Sequence, residues 1–78
     1  DLQRVEDKIS CEIEKVITAA RQSQGQVIVV SNELGMGLVP EYPLGRAFRD
    51  IAGRMNQKLA RSADEVYFVV SGIPMRLK

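Results

Sequence analysis

The chain contains no histidine and a single cysteine in 78 residues. Cys11 therefore has no base to activate it as a nucleophile and no partner for an internal disulfide. With no second cysteine and no histidine it cannot complete a zinc site either. It reads as a spectator thiol in a reducing, cytoplasmic setting. No Gly-x-x-x-x-Gly-Lys-Ser/Thr phosphate cradle occurs anywhere in the sequence, so no complete catalytic apparatus is visible in these residues. Long apolar runs are missing as well. Val27 to Val30 and Val66 to Val70 are the longest, far short of the roughly 20 residues a membrane span needs, and no signal-peptide pattern is present. Net charge is nearly absent, at +1 from eleven basic and ten acidic residues. That leaves no long-range field to draw in nucleic acid or an anionic membrane.

What is present describes an ordinary globular chain, with 45% hydrophobic and 27% charged residues and room for one domain. A chain this short buries only about 60% of the surface its unfolded form exposes. A homo-oligomer or a further partner segment is therefore expected. Asp1, in place of a methionine, enters a helical pattern at once, which points to a fragment or the ordered part of a longer protein.

Leu2, Val5, Ile9, Ile13, Val16, Ile17 and Ala20 recur at three- and four-residue spacing, with charged residues between them. This predicts an amphipathic helix over residues 1 to 22, closed by Ser23 to Gly25, with Gly25 able to take the left-handed conformation that closes many helices. Gln26 to Ser31 holds four consecutive β-branched residues, the pattern of a strand covered on both faces in a parallel sheet. A loop from Asn32 to Pro43 follows, punctuated by Gly35, Gly37, Pro40 and Pro43. Leu44, Ala47, Phe48, Ile51, Ala52, Met55 and Leu59 then form the apolar stripe of a second helix reaching about Arg61. Val66 to Ser71 is expected to lie parallel to the first strand through a right-handed crossover. Ser71 to Pro74 reads as a turn before a short antiparallel edge strand, Met75 to Lys78. The expected fold is thus α/β, in the order helix, strand, helix, strand, short edge strand, built on a mostly parallel sheet.

Ligands of such sheets bind beyond the carboxyl ends of the strands, where Ser31, Asn32 and Glu33 fall. Asn32 and Glu33 are candidates to orient a hydroxyl, hold a magnesium-bound water or contact a nucleotide; the competing reading is that they bond loop backbone. Gly35 and Gly37 would let main-chain N–H groups approach a ligand, or simply supply a tight turn. Glu41 closes the candidate segment. Arg46, Arg49, Arg54 and Arg61 lie off the apolar stripe and read as a solvated face, with phosphate binding the alternative. Gly45, Gly53 and Asn56 fall toward one flank of the second helix, where small residues permit close approach of another backbone. They are candidates for an oligomer or interdomain contact.

Three groups of residues together carry a resemblance: Asn32-Glu33-x-Gly35-x-Gly37-x-x-Pro40-Glu41, then Arg46-x-Phe48-Arg49-Asp50-x-x-Gly53-x-x-Asn56-Gln57, then Ala63-Asp64-Glu65-Val66 with Ser71-Gly72-Ile73-Pro74. The chain resembles, from about residue 26 to 78, the C-terminal part of the bifunctional adenosylcobinamide kinase / adenosylcobinamide-phosphate guanylyltransferase family. The resemblance implies that residues 1–78 are the C-terminal segment of a P-loop-type α/β transferase of cobalamin biosynthesis, with GTP or ATP and Mg as cofactors. Such an enzyme phosphorylates adenosylcobinamide and then transfers GMP to that phosphate through a guanylylated histidine. Both the phosphate loop and that histidine are absent here, so no catalytic residue carries over and the chain alone is expected to be inactive. The competing class is a non-enzymatic α/β assembly or binding module.

Overall fold

The structure, a computed structural model, describes residues 1–33, 37 and 39–78. Helix α1 spans Leu2–Gln22. The Asp1 carboxylate accepts the Gln3 N–H at 3.0 Å, satisfying one of the donors that every helix start leaves open. At the other end Ser23 leaves the helix with extended angles, φ −76 and ψ 141, and its hydroxyl accepts the Gly25 N–H at 3.1 Å. The left-handed conformation open to Gly25 is therefore not how α1 ends. Among the described residues only Ser71 and Gly72 have positive φ. Helix α2 spans Pro43–Ser62, beginning one residue before the expected start because Pro43 suits the first helical turn, where its missing N–H removes a donor with no helical acceptor.

The two helices run in the same direction. Arg54 meets Glu6 through two bonds of 2.7 Å, Nε to Oε2 and Nη2 to Oε1. Further along both helices, Lys58 Nζ reaches Glu14 Oε1 at 2.6 Å and donates to Ser10 Oγ at 2.7 Å. At the C-terminal ends Arg21 donates to the Ser62 carbonyl at 3.0 Å. Among the described residues, Ile51 and Met55 of α2 are the buried hydrophobic ones.

Residues 26–31 return between the helices, but the expected buried strand does not form. They carry no ladder pairing, and Ile28 and Val30 are 75% and 89% exposed. A strand exists by pairing, and no described segment supplies this one with ladder hydrogen bonds. The sheet that does form is antiparallel. β1, Tyr67–Val70, pairs with β2, Ile73–Arg76, in the register Val70↔Ile73 and Val69↔Pro74. Ser71 and Gly72, at φ 52 and φ 74, make the two-residue connection, a type I′ geometry whose twist matches the strands. The turn is thus tighter than Ser71 to Pro74, and the return strand starts earlier than Met75. Pro74 is tolerated because Val69↔Pro74 is a pair without ladder hydrogen bonds, given the bonded alternation that continues to Leu77 N donating to Val66 O at 2.8 Å. Lys78 Nζ donates to the Ala60 and Arg61 carbonyls at 3.0 and 3.1 Å, fastening the hairpin to the electronegative end of α2.

The chain exposes 6551 Å², where a folded monomer of 8.7 kDa exposes about 4,700 Å². The excess, roughly 1,800 Å², includes Val27 to Val30, the outward stretch of α1 and the Leu44 and Phe48 positions of α2. No helix among the described residues is long and apolar enough to cross a membrane. Residues 1–78 alone should show strong helical dichroism with a broad melt and should bind an apolar dye. A sharp, dye-silent transition would contradict this account of the uncovered surface.

Candidate functional site

The segment from Ser31 to Glu41 is held to α2 at each end. At the first end, Ser31 donates its hydroxyl to Asn56 Oδ1 at 2.6 Å, while Asn56 Nδ2 donates to the Asn32 carbonyl at 3.0 Å. An amide side chain suits this place because it supplies an acceptor and a donor together. At the second end, Arg46 Nη1 donates to the carbonyls of Pro40 and Glu41 at 3.1 and 3.0 Å. Gly45 sits directly beneath, since a Cβ placed there would lie 3.0 Å from the Pro40 Cβ, closer than ordinary van der Waals contact.

Asn32, Glu33 and Glu41 are exposed at the two ends of this segment, and Gly37 is exposed within it. Gly35 lies outside the described residues. Asn56 and Arg46 bond the main-chain carbonyls of Asn32 and Glu41. The flank of small residues on α2 divides in two. Gly45 and Asn56 face this chain's own segment, whereas a Cβ at Gly53 would meet nothing within 4 Å. Gly53 lines an open trough of about 490 Å³ with Arg49, Asp50, Arg54 and Gln57. Tyr42 is the residue preceding α2 and makes no side-chain cap. Cys11 is exposed. Among the described residues no group of three His, Cys, Asp or Glu side chains is placed to hold a metal ion.

Sequence reasoning missed the Arg54 and Glu6 pair, the Lys58 contacts and the anchoring by Arg46. The first two join residues 44 to 48 positions apart, a separation at which no periodicity carries a signal. Arg46 was legible only as one of four arginines on a polar face; its bonds five and six residues back depend on the loop's path. The paired Arg54 guanidinium holds the Glu6 carboxyl below its ordinary value, chiefly through the hydrogen bonds, which outweigh an opposing desolvation effect, with a lesser contribution from the Arg54 charge. Arg54 is correspondingly raised by Glu6.

Comparison with known proteins places these residues in context. The family described as Cobinamide kinase / cobinamide phosphate guanyltransferase matches residues 1–77. The chain is 51% identical over all 78 residues to the "Bifunctional adenosylcobalamin biosynthesis protein CobU" of Escherichia coli, covering 43% of that protein. The protein of the same description from Salmonella typhimurium is matched at the same identity and coverage. "Bifunctional adenosylcobalamin biosynthesis protein CobP" of Pseudomonas aeruginosa is 38% identical over 71 residues, 91% of this chain and 41% of that protein. The chain therefore spans less than half the length of the curated relatives it matches.

The ion pair makes a direct prediction. A carboxylate with a depressed folded-state pKa stabilises the fold above its unfolded value, about 4.3 for glutamate, and that contribution is lost as pH falls through the lower folded value. Carboxyl NMR of a full-length protein carrying this chain should show Glu6 titrating below the ordinary glutamate value. Arg54→Gln should return it to the ordinary range; an unchanged Glu6 midpoint in that variant would exclude the pair as the cause.

Proposed function

The chain belongs to the cobinamide kinase / cobinamide phosphate guanyltransferase family, and from this we propose that residues 1–78 are the C-terminal segment of a bifunctional transferase of cobalamin biosynthesis. The proposed parent enzyme phosphorylates adenosylcobinamide and transfers GMP from GTP to adenosylcobinamide phosphate, giving adenosyl-GDP-cobinamide. The single observation that carries this reading is 51% identity sustained over the entire chain with a protein of cobalamin biosynthesis.

In this reading the phosphate loop and the histidine that takes GMP lie in the remaining length of the parent, since no histidine occurs here. The contribution of this chain is positional. Two helices that run the same way, with an apolar segment returning between them, suit one layer of a P-loop-type, mostly parallel sheet, and Val27 to Val30 would be a strand of it once flanked. The roughly 1,800 Å² of excess surface supports that covering by further chain. The segment from Asn32 to Glu41 would then stand at the carboxyl edge of the sheet, where substrates of such folds bind. The fitting cofactors are GTP or ATP with Mg. A nucleotide-borne Mg ion needs only one or two protein carboxylates beside the phosphates, a demand that Glu33 meets without a prebuilt cluster. Gly53, with open space above it, is the remaining candidate for a homo-oligomeric or interdomain contact, and the proposed setting is cytoplasmic.

In a full-length protein carrying this chain, Glu33→Gln should lower kcat for adenosylcobinamide phosphorylation on the order of 10- to 100-fold, the range of a positioned proton or metal contact. Wild-type turnover would remove Glu33 from the site. In the same protein Gly53→Leu should change the oligomeric mass or lower the melting temperature, and the contact proposal fails if neither moves.

A further inference from the structure

We infer that Asn56 and Arg46 are positioning residues for the substrate-proximal segment, and that α2 serves as the rigid mount that sets the distance between its two ends. The inference rests on the reading of residues 32–41 given above and adds to it the groups that hold the segment in place.

The juxtaposition is specific. Both anchors belong to one helix, ten residues apart, a separation of about 15 Å along its axis at 1.5 Å per residue. Asn56 takes the Ser31 hydroxyl on its oxygen and gives its N–H to the Asn32 carbonyl. Arg46 bridges two successive carbonyls, Pro40 and Glu41, from a single nitrogen. The absence of a side chain at Gly45 lets Pro40 approach the helix. Anchoring through main-chain oxygens fixes where residues 32 and 41 sit while leaving their side chains outside the anchoring bonds. A helix is the right part for this, because its length does not vary with the loop it carries. Position matters steeply here, since a displacement of about 1 Å at a reacting group can lower a rate on the order of 100-fold. The family of hydrogen bonds would be dispensable if α2 were only a packing element, for Ile51 and Met55 already supply its buried contacts.

The test uses a full-length protein carrying this chain and reads kcat, KM and melting temperature together. Asn56→Leu and Arg46→Met should each lower kcat on the order of 10- to 100-fold with an unchanged melting temperature, and Arg46→Lys, which keeps a donor, should restore most of the loss. Should Asn56→Leu not fold, Ser31→Ala removes one bond of the same anchor and should lower kcat in the same direction by less. Wild-type kcat in both anchor variants, or a loss matched by a lower folded fraction, overturns the inference. Glu33→Gln and Gly37→Val separate the two levels. If these impair turnover while the anchor variants do not, the mount alone is wrong; if all four are neutral, the reading of the segment falls with it.

Discussion

Two helices that run the same way cannot be joined by a tight turn, and this constraint organises the chain. Once Arg54 grips Glu6 and Lys58 grips Glu14 and Ser10, the sequence between Gln22 and Pro43 must travel back along the helices. Its direction is then opposed to both, as in a crossover unit of a parallel sheet. The apolar stretch Val27 to Val30 falls in that return, which brings Ser31 and Asn32 beside Asn56 and then Pro40 and Glu41 beside Arg46, near the start of α2. The anchors at Asn56 and Arg46 act on a segment that this topology has already brought to them.

Both helices were legible because their apolar spacing and end signals agree. Asp1, Pro43 and the exits at Ser23 and Ala63 fall within a residue or two of the expected limits. The hairpin was legible from Ser71-Gly72, though its register was not, since a two-residue connection differs from a four-residue one only in backbone angles. The return strand was read from four β-branched residues as covered on both faces. That pattern reports what a segment requires, and no described residue meets the requirement. The alignment of the helices was hidden altogether, because ion pairs between distant residues leave no local trace. Asn32, Glu33, Gly37 and Glu41 were named as candidates from their place after a strand-like run. Asn56 was noticed for its small size on a helix flank, and its two hydrogen bonds within the chain could not be inferred from that.

The uncovered surface joins the structural and comparative observations. An excess of roughly 1,800 Å² exceeds the share that one partner contributes to a standard interface, about 800 Å², and resembles a core laid open. The curated relatives are more than twice as long as the match. A chain with two buried hydrophobic residues among those described and a family whose members carry more sequence fit one proposal: the remaining length supplies the sheet and the reactive groups, and these residues supply a mounted edge.

The relative direction of the helices is the claim on which the rest depends, and paired spin labels measure it. In a Cys11→Ser background of a full-length protein, labels at Arg4 and Asp50 should lie closer together than labels at Arg4 and Arg61, because Glu6 sits opposite Arg54 and the helices proceed together from there. The reverse order of distances would mean that the helices oppose one another, and the return path, the strand proposal and the mounted segment would all have to be abandoned.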